Sequence, residues 1–240
     1  MWCRNCNHET NGAKCELCGN ETEPVIPTEV FWCDHCNIPI IKEVNDSKTK
    51  KCPLCQSDLN YLSADIRPVF PEERLLVEIL LDEPMKYHDQ SVWANNNRYY
   101  FNGKSKVITT KYYKKYDPEY IISELEKYKK LNTYEYFDCF ISDFTKANAQ
   151  RNYYIIDEAH RFIREEASHY PTESVVVSFS GGKDSTVTAD LAVKALSEPS
   201  LVHIFGNTTL EFPTTLDYAE RFRADNPKTI FRIALNREQG

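Results

Sequence analysis

The sequence predicts an α/β protein whose C-terminal part is a parallel, Rossmann-like sheet, incomplete at about three strands, preceded by two small metal ribbons and a small α+β domain. Three observations carry that prediction. Four Cys-x-x-Cys pairs crowd the first 60 residues, an Asn-Gly dipeptide separates two short strand-like runs near residue 100, and strand and helix periods alternate from residue 175 onward. Such alternation produces a parallel sheet with crossover helices.

The pairs are Cys3/Cys6, Cys15/Cys18, Cys33/Cys36 and Cys52/Cys55, and sequence order groups them into one ribbon over residues 1–22 and a second over 29–60, joined by the loose segment Glu21 to Thr28. A tetrahedral ion wants four soft ligands, and each Cys-x-x-Cys turn supplies two thiolates while its own amides donate to the sulfurs. Two structural Zn²⁺ ions are expected; iron in a rubredoxin-like site or an iron–sulfur cluster is the alternative. The turn closes best on a left-handed residue, which suits Asn7, Gly19 and Asn37 and suits Gln56 less well. His8 and His35 flank complete four-thiolate sets and are expected beside the ligands or at the surface. A closed set argues against catalysis by the metal. The ribbons serve either docking to nucleic acid or protein, or a fold too short to bury a core without metal.

Residues 61–135 read as a separate α+β domain. Helical periods run from Pro71 to Leu81 and from Pro118 to Leu131, each with proline and acidic residues at its start. Between them, Arg98 to Phe101 and Lys104 to Thr110 flank Asn102-Gly103, the dipeptide of a two-residue hairpin turn. Residues 98–116 carry six basic and no acidic side chains: Arg98, Lys104, Lys106, Lys111, Lys114 and Lys115, interleaved with six aromatic rings. Cations on phosphates with rings on bases would suit nucleic acid; a solvated face over packed tyrosines is the alternative.

The C-terminal domain is expected over 140–240. A long amphipathic helix from Ala147 to His169 should pack against the sheet that follows, which alternates strand 175–180, helix 184–196, strand 201–206, helix 214–224 and strand 229–235. Cys139, unpaired, is expected to be a buried small side chain. Between the first strand and its helix lies Ser180-Gly181-Gly182-Lys183-Asp184-Ser185-Thr186. Two glycines let successive amides close around an oxyanion, the helix adds its positive end, and Lys183 adds a full cation.

That loop resembles the signature of the ATP pyrophosphatases, the adenine-nucleotide α-hydrolases, and Asn207-Thr208-Thr209-Leu210-Glu211-Phe212-Pro213 is similar to the segment after the second strand in the phosphoadenosine phosphosulfate (PAPS) reductase family, which includes DNA-phosphorothioation sulfurtransferases. The resemblance implies ATP (or PAPS) with Mg²⁺. Ser180, Gly181, Gly182 and Ser185 would hold the departing pyrophosphate, Lys183 would neutralise it, and Asp184 would place Mg²⁺ or fix the loop; Lys183 and Asp184 are the catalytic candidates. Thr208 and Glu211 would face the same crevice. The implied chemistry is ATP-dependent adenylylation supporting sulfur transfer to a nucleic acid or small molecule. Alternatives are a sulfonucleotide reductase completed by residues absent here, or a non-catalytic scaffold for nucleic acid or protein. Family members often have aspartate where this chain has Asn207, and the strand that would complete the crevice is expected from a longer chain or a protein partner.

The chain has 240 residues, 41% of them hydrophobic, and a formal net charge of −7, which argues against a wholly basic nucleic-acid protein. Residues 1–60 hold six basic and nine acidic side chains, so direct DNA binding by the ribbons is not favoured over the alternative. Met1-Trp2-Cys3-Arg4 begins neither a signal peptide nor a membrane helix, and cysteine pairs without an export signal point to metal rather than disulfides, so no membrane association and a cytoplasmic location are expected.

Overall fold

The computed structural model describes residues 1–3, 5–6, 8–10, 12–22, 28–43 and 50–235. The chain forms two compact units, residues 1–149 and 150–240.

The first unit opens with β1 (Trp2–Cys3) and β2 (His8–Glu9), an antiparallel pair that holds the first two cysteines. The second ribbon is a sheet of β3 (Thr28–Cys33), β4 (Ile38–Glu43) and β5 (Asn60–Ser63) in the order β4-β3-β5. Next come β6 (Arg67–Pro68), α1 (Pro71–Leu80), β7 (Val92–Asn95), β8 (Arg98–Phe101) and β9 (Lys104–Val107), with the antiparallel order β6-β7-β8-β9. The short α2 (Thr110–Tyr113), α3 (Pro118–Tyr128) and α4 (Glu135–Ala147) complete the unit.

Strand alternation gives the sheet β6–β9 two apolar faces. Val92, Ala94, Tyr99 and Phe101 pack with Val77 and Leu80 of α1. Trp93 and Tyr100 point the other way and share a core with Trp32 of the second ribbon, backed by Ile141 and Phe144 of α4. The ribbon is thus built into the unit rather than hung from it. The junction is the β8–β9 turn: Asn102 (φ 44°) and Gly103 (φ 77°) are both left-handed, the conformation a two-residue hairpin of matching twist demands. A Cβ on Gly103 would lie 2.6 Å from Nε1 of Trp32, so only glycine lets the turn lie against that indole.

The turn after α1 hangs on a buried carboxylate. Glu78, with no exposed surface, accepts hydrogen bonds from Arg74 (2.9 Å) and from the amides of Met85 and Tyr87 (2.8 Å each), so its charge is balanced and its oxygens are used. Arg74 also donates to Asn132 beyond α3.

The second unit holds α5 (Ala149–Ala167), β10 (Val176–Phe179), α6 (Lys183–Leu196), β11 (Val202–Asn207), α7 (Pro213–Asp225) and β12 (Ile230–Leu235). Its strands are parallel in the order β10-β11-β12, which bears out the mixed α/β class and the alternation expected from residue 175. Val177, Phe179, His203 and Phe205 are buried, with Ala189 and Ala192 of α6 and Ala219 of α7 in the same core. The opposite face is open: Val176, Ile204 and Ile230 are exposed.

Two expectations need correction. The helix predicted from Ala147 to His169 is present as α5, but α4 directly before it was not foreseen; the two are separated at Asn148, whose side chain bonds the edge of β4. Nor does α5 pack as expected: none of its residues is buried, and Ile155, Ile156 and Phe162 are each about 40% exposed. Cys139, also expected to be buried, is exposed on α4.

Gly103→Ala is expected to destabilise the first unit by about 2–4 kcal/mol, the sum of a left-handed alanine and an overpacked indole. A thermal melt that shows no drop in Tm would refute the close approach of the turn to Trp32.

Candidate functional site

Three places in the fold collect chemistry-bearing groups: two thiolate clusters and the loop after β10. In each cluster the four sulfurs, of Cys3, Cys6, Cys15 and Cys18 and of Cys33, Cys36, Cys52 and Cys55, lie within 4.8 Å of one another. Individual separations are 3.6 Å for Cys3–Cys18, 3.5 Å for Cys33–Cys55 and 3.9 Å for Cys36–Cys52. A tetrahedron with metal–sulfur bonds of about 2.3 Å has edges of about 3.8 Å, so either cluster fits an ion. The turns do what the spacing promised. Amides of Cys6 and Cys36 donate to Cys3 and Cys33 at 3.4 Å, and Gly19, Asn37 and Gln56 all take positive φ. Gln56, the less suitable residue, adopts the same conformation as the others; Asn7 lies outside the described residues. His35 Nδ1 is 3.9 Å from the sulfur of Cys36, beside the ligands and not among them.

The thiols within a cluster are unequal. The amide of Asn20 draws Cys18 down to about 6, and the hydroxyl and amide of Ser57 do the same for Cys55. The Cys18 side chain drives Cys6 up to about 12, and burial raises Cys3, Cys33 and Cys36. Two low and several high thiols mean that the bare clusters keep protons, and that a cation must displace them to obtain four thiolates.

The glycine loop starts where β10 ends. Gly181 is left-handed at φ 76°, and a Cβ there would meet the Thr215 methyl of α7 at 3.0 Å. Gly182 is the N-cap of the 14-residue α6 without any side-chain cap. Ser185 Oγ instead accepts from the amide of Ser180 (3.2 Å), lies 3.2 Å from the Ser180 hydroxyl and donates to the carbonyl of Gly182 (2.9 Å), which knots the loop. Among the described residues the amides of Gly181, Lys183, Asp184 and Ser185 have no acceptor. Lys183 and Asp184 pair at 2.7 Å with side chains 89% and 90% exposed, so that pair contributes little to stability and both groups are free to turn to a ligand.

The neighbouring loop leaves the same end of the adjacent parallel strand. Asn207 Oδ1 accepts from the Thr209 amide at 2.8 Å, Thr209 is left-handed, and Thr208 donates to Glu211 at 2.9 Å. Asn207 is therefore occupied in shaping its own turn. The α7 helix, starting at Pro213, reaches back to the first loop through Thr215 on Gly181 and through Tyr218 on Thr186 (2.9 Å). Those two α7 residues escaped the sequence reading. Nothing in their i, i+3 spacing marks them apart from their partners.

Residues 174–239 match the phosphoadenosine phosphosulfate reductase domain family. The matched stretch takes in both loops and all three parallel strands, and α5 lies before it. The domain belongs to a superfamily of enzymes. No curated protein and no solved structure matches the chain.

The basic residues of 98–116 do not form one patch. Lys106 is paired with Glu83 at 2.7 Å and Lys115 with Asp82, acids contributed by the turn after α1. Arg98 lies on the strand face opposite to Lys106 and reaches Ser105. Lys104, Lys111 and Lys114 have no ion-pair partner among the described residues. Also among the described residues, no helix is long and apolar enough to cross a membrane.

Fully loaded protein is expected to carry two metal equivalents per chain, and chelation should abolish the tertiary signal of both ribbons. Elemental analysis of purified protein that finds fewer than two would overturn the clusters as metal sites.

Proposed function

We propose that the PAPS reductase domain binds the phosphates of an adenine nucleotide, ATP with Mg²⁺, at Ser180 to Ser185, and that it activates an acceptor by adenylylation in support of sulfur transfer to a nucleic acid or small molecule. One observation carries this reading. Four amides without acceptors among the described residues and an exposed lysine lie at the start of a 14-residue helix whose glycine N-cap gives no side-chain cap.

In this reading the amides of Gly181, Lys183, Asp184 and Ser185, with the hydroxyl of Ser180 beside them, hold the pyrophosphate portion, and Lys183 neutralises charge that grows there as the bond to the α-phosphorus breaks. Asp184 would hold Mg²⁺, which supplies charge neutralisation when bound. An acceptor oxygen attacks the α-phosphorus, pyrophosphate departs, and the adenylate so formed is a leaving group for an incoming sulfur or nitrogen. Thr208 and Glu211 line the neighbouring loop at the same sheet end. Among the described residues β10 is an edge strand, and a partner protein or further chain would supply the wall beyond it. Zn²⁺ in both four-cysteine clusters has a structural role.

A second reading, nucleic-acid contact by the first unit, has one observation in its favour. Thr110 and the half-exposed ring of Tyr113, next in sequence to Lys111 and Lys114, line an open hollow with Asn96, Asn97 and Thr109.

Lys183→Ala is expected to weaken ATP·Mg²⁺ binding by about 1.5–3 kcal/mol, the range for a charge-assisted hydrogen bond, and to leave the melting temperature unchanged because the side chain packs against nothing. Calorimetric titration with parallel melts checks both halves: equal affinities would place the nucleotide elsewhere. Gly181→Ala should abolish binding altogether, since a left-handed alanine pressed on Thr215 reshapes the loop. Nucleotide-dependent pyrophosphate release separates the enzymatic reading from the scaffold reading.

A further inference from the structure

The second cysteine cluster is tied to a residue far away in sequence. Asn148, 3% exposed, stands at the C-terminal cap of α4 with its amide turned onto the free edge of β4. Its Oδ1 accepts from the Ile41 amide at 2.8 Å, and its Nδ2 donates to the carbonyls of Pro39 at 3.1 Å and Phe144 at 2.9 Å. One side chain thus supplies to β4 the donor and acceptor that another strand would have offered. Ala147 beside it is buried in one cluster with Cys33, Ile38, Ile40 and Cys52. Among the described residues the ladder and turn bonds of the first ribbon run within residues 1–22.

We infer that the ion held by Cys33, Cys36, Cys52 and Cys55 is a latch for the end of α4, and that Asn148 is the positioning residue through which metal occupancy and helix docking are coupled. Strand β4 begins at Ile38, directly after the Cys33–Cys36 knuckle, and pairs Ile38 with Cys33 itself. Without the ion the four sulfurs have no reason to converge, β4 loses its fixed position, and Asn148 loses both partners. The α4 cap is also where the first unit hands the chain to the second. The coupling is reciprocal by thermodynamic necessity. If the ion strengthens docking by some factor, docking strengthens ion binding by the same factor, although Asn148 touches no sulfur.

The inference rests on the reading that this cluster holds metal, and the test separates the two. Full-length zinc-loaded protein is compared with Cys52→Ser/Cys55→Ser, Cys15→Ser/Cys18→Ser and Asn148→Ala by amide exchange of Ile41 and the last turn of α4, with metal content measured on each sample. Exchange at both places should rise about tenfold or more in Cys52→Ser/Cys55→Ser and in Asn148→Ala, and stay unchanged in Cys15→Ser/Cys18→Ser. In the Cys15→Ser/Cys18→Ser background, which isolates the second cluster, Asn148→Ala should lower zinc affinity against a chromophoric chelator by about tenfold while the protein still binds one equivalent. That arm decides the question even if Cys52→Ser/Cys55→Ser fails to fold. Unchanged zinc affinity with Asn148→Ala overturns the latch and leaves the metal site standing; a second cluster that holds no metal in the parent protein overturns both.

Discussion

Four thiolate sulfurs within 4.8 Å of one another repel unless a cation lies among them, and much of the first unit is arranged around that requirement. Satisfying it at the second cluster fixes β3 and β4, and β3 carries Trp32 into the core beneath the 102–103 turn. The turn sets the register of the β8–β9 hairpin, whose other face packs on α1. The same ribbon presents the β4 edge on which α4 ends. A soft-ligand site too small to be stable alone thereby becomes the common wall of two cores.

The second unit obeys a different constraint. In the proposed reading its loop approaches an anion more closely than a side chain would allow, and the backbone itself becomes the ligand at a helix start without a side-chain cap. Gly181 provides the bend, Gly182 leaves the N-cap bare, and Ser185 stiffens the loop from within. The methyl of Thr215 on α7 limits how far the bend can relax. Rigidity gained this way costs no donor, since Ser185 uses its hydroxyl and leaves its amide free.

How much of this was legible in the sequence depended on whether the requirement is local. The cysteine pairs, the Asn102-Gly103 turn, the β10–α6 glycine loop and the alternation of the C-terminal part each depend on neighbours a few residues away, and the structure has all of them. The α4 helix was missed because its burial is settled by Trp93 and by the β4 edge; the Asn148–Ile41 bond spans 107 residues. The pairing within the basic stretch was hidden for the same reason, since the acids that neutralise Lys106 and Lys115 come from the turn after α1. The α5 stripe shows the limit of periodicity: its apolar spacing is real, but an amphipathic face says only that something could cover it.

The packing of Trp32 against Trp93 has an optical consequence. All three tryptophans of the chain lie in the first unit, two of them sharing one core with Tyr100, and the second unit contains tyrosine but no indole. Two of the three indoles therefore report on the second ribbon, the hairpin and α4 as a single environment. Emission from those rings is a built-in gauge of the half of the molecule that holds the cysteine clusters, and it is silent about the half that carries the glycine loop.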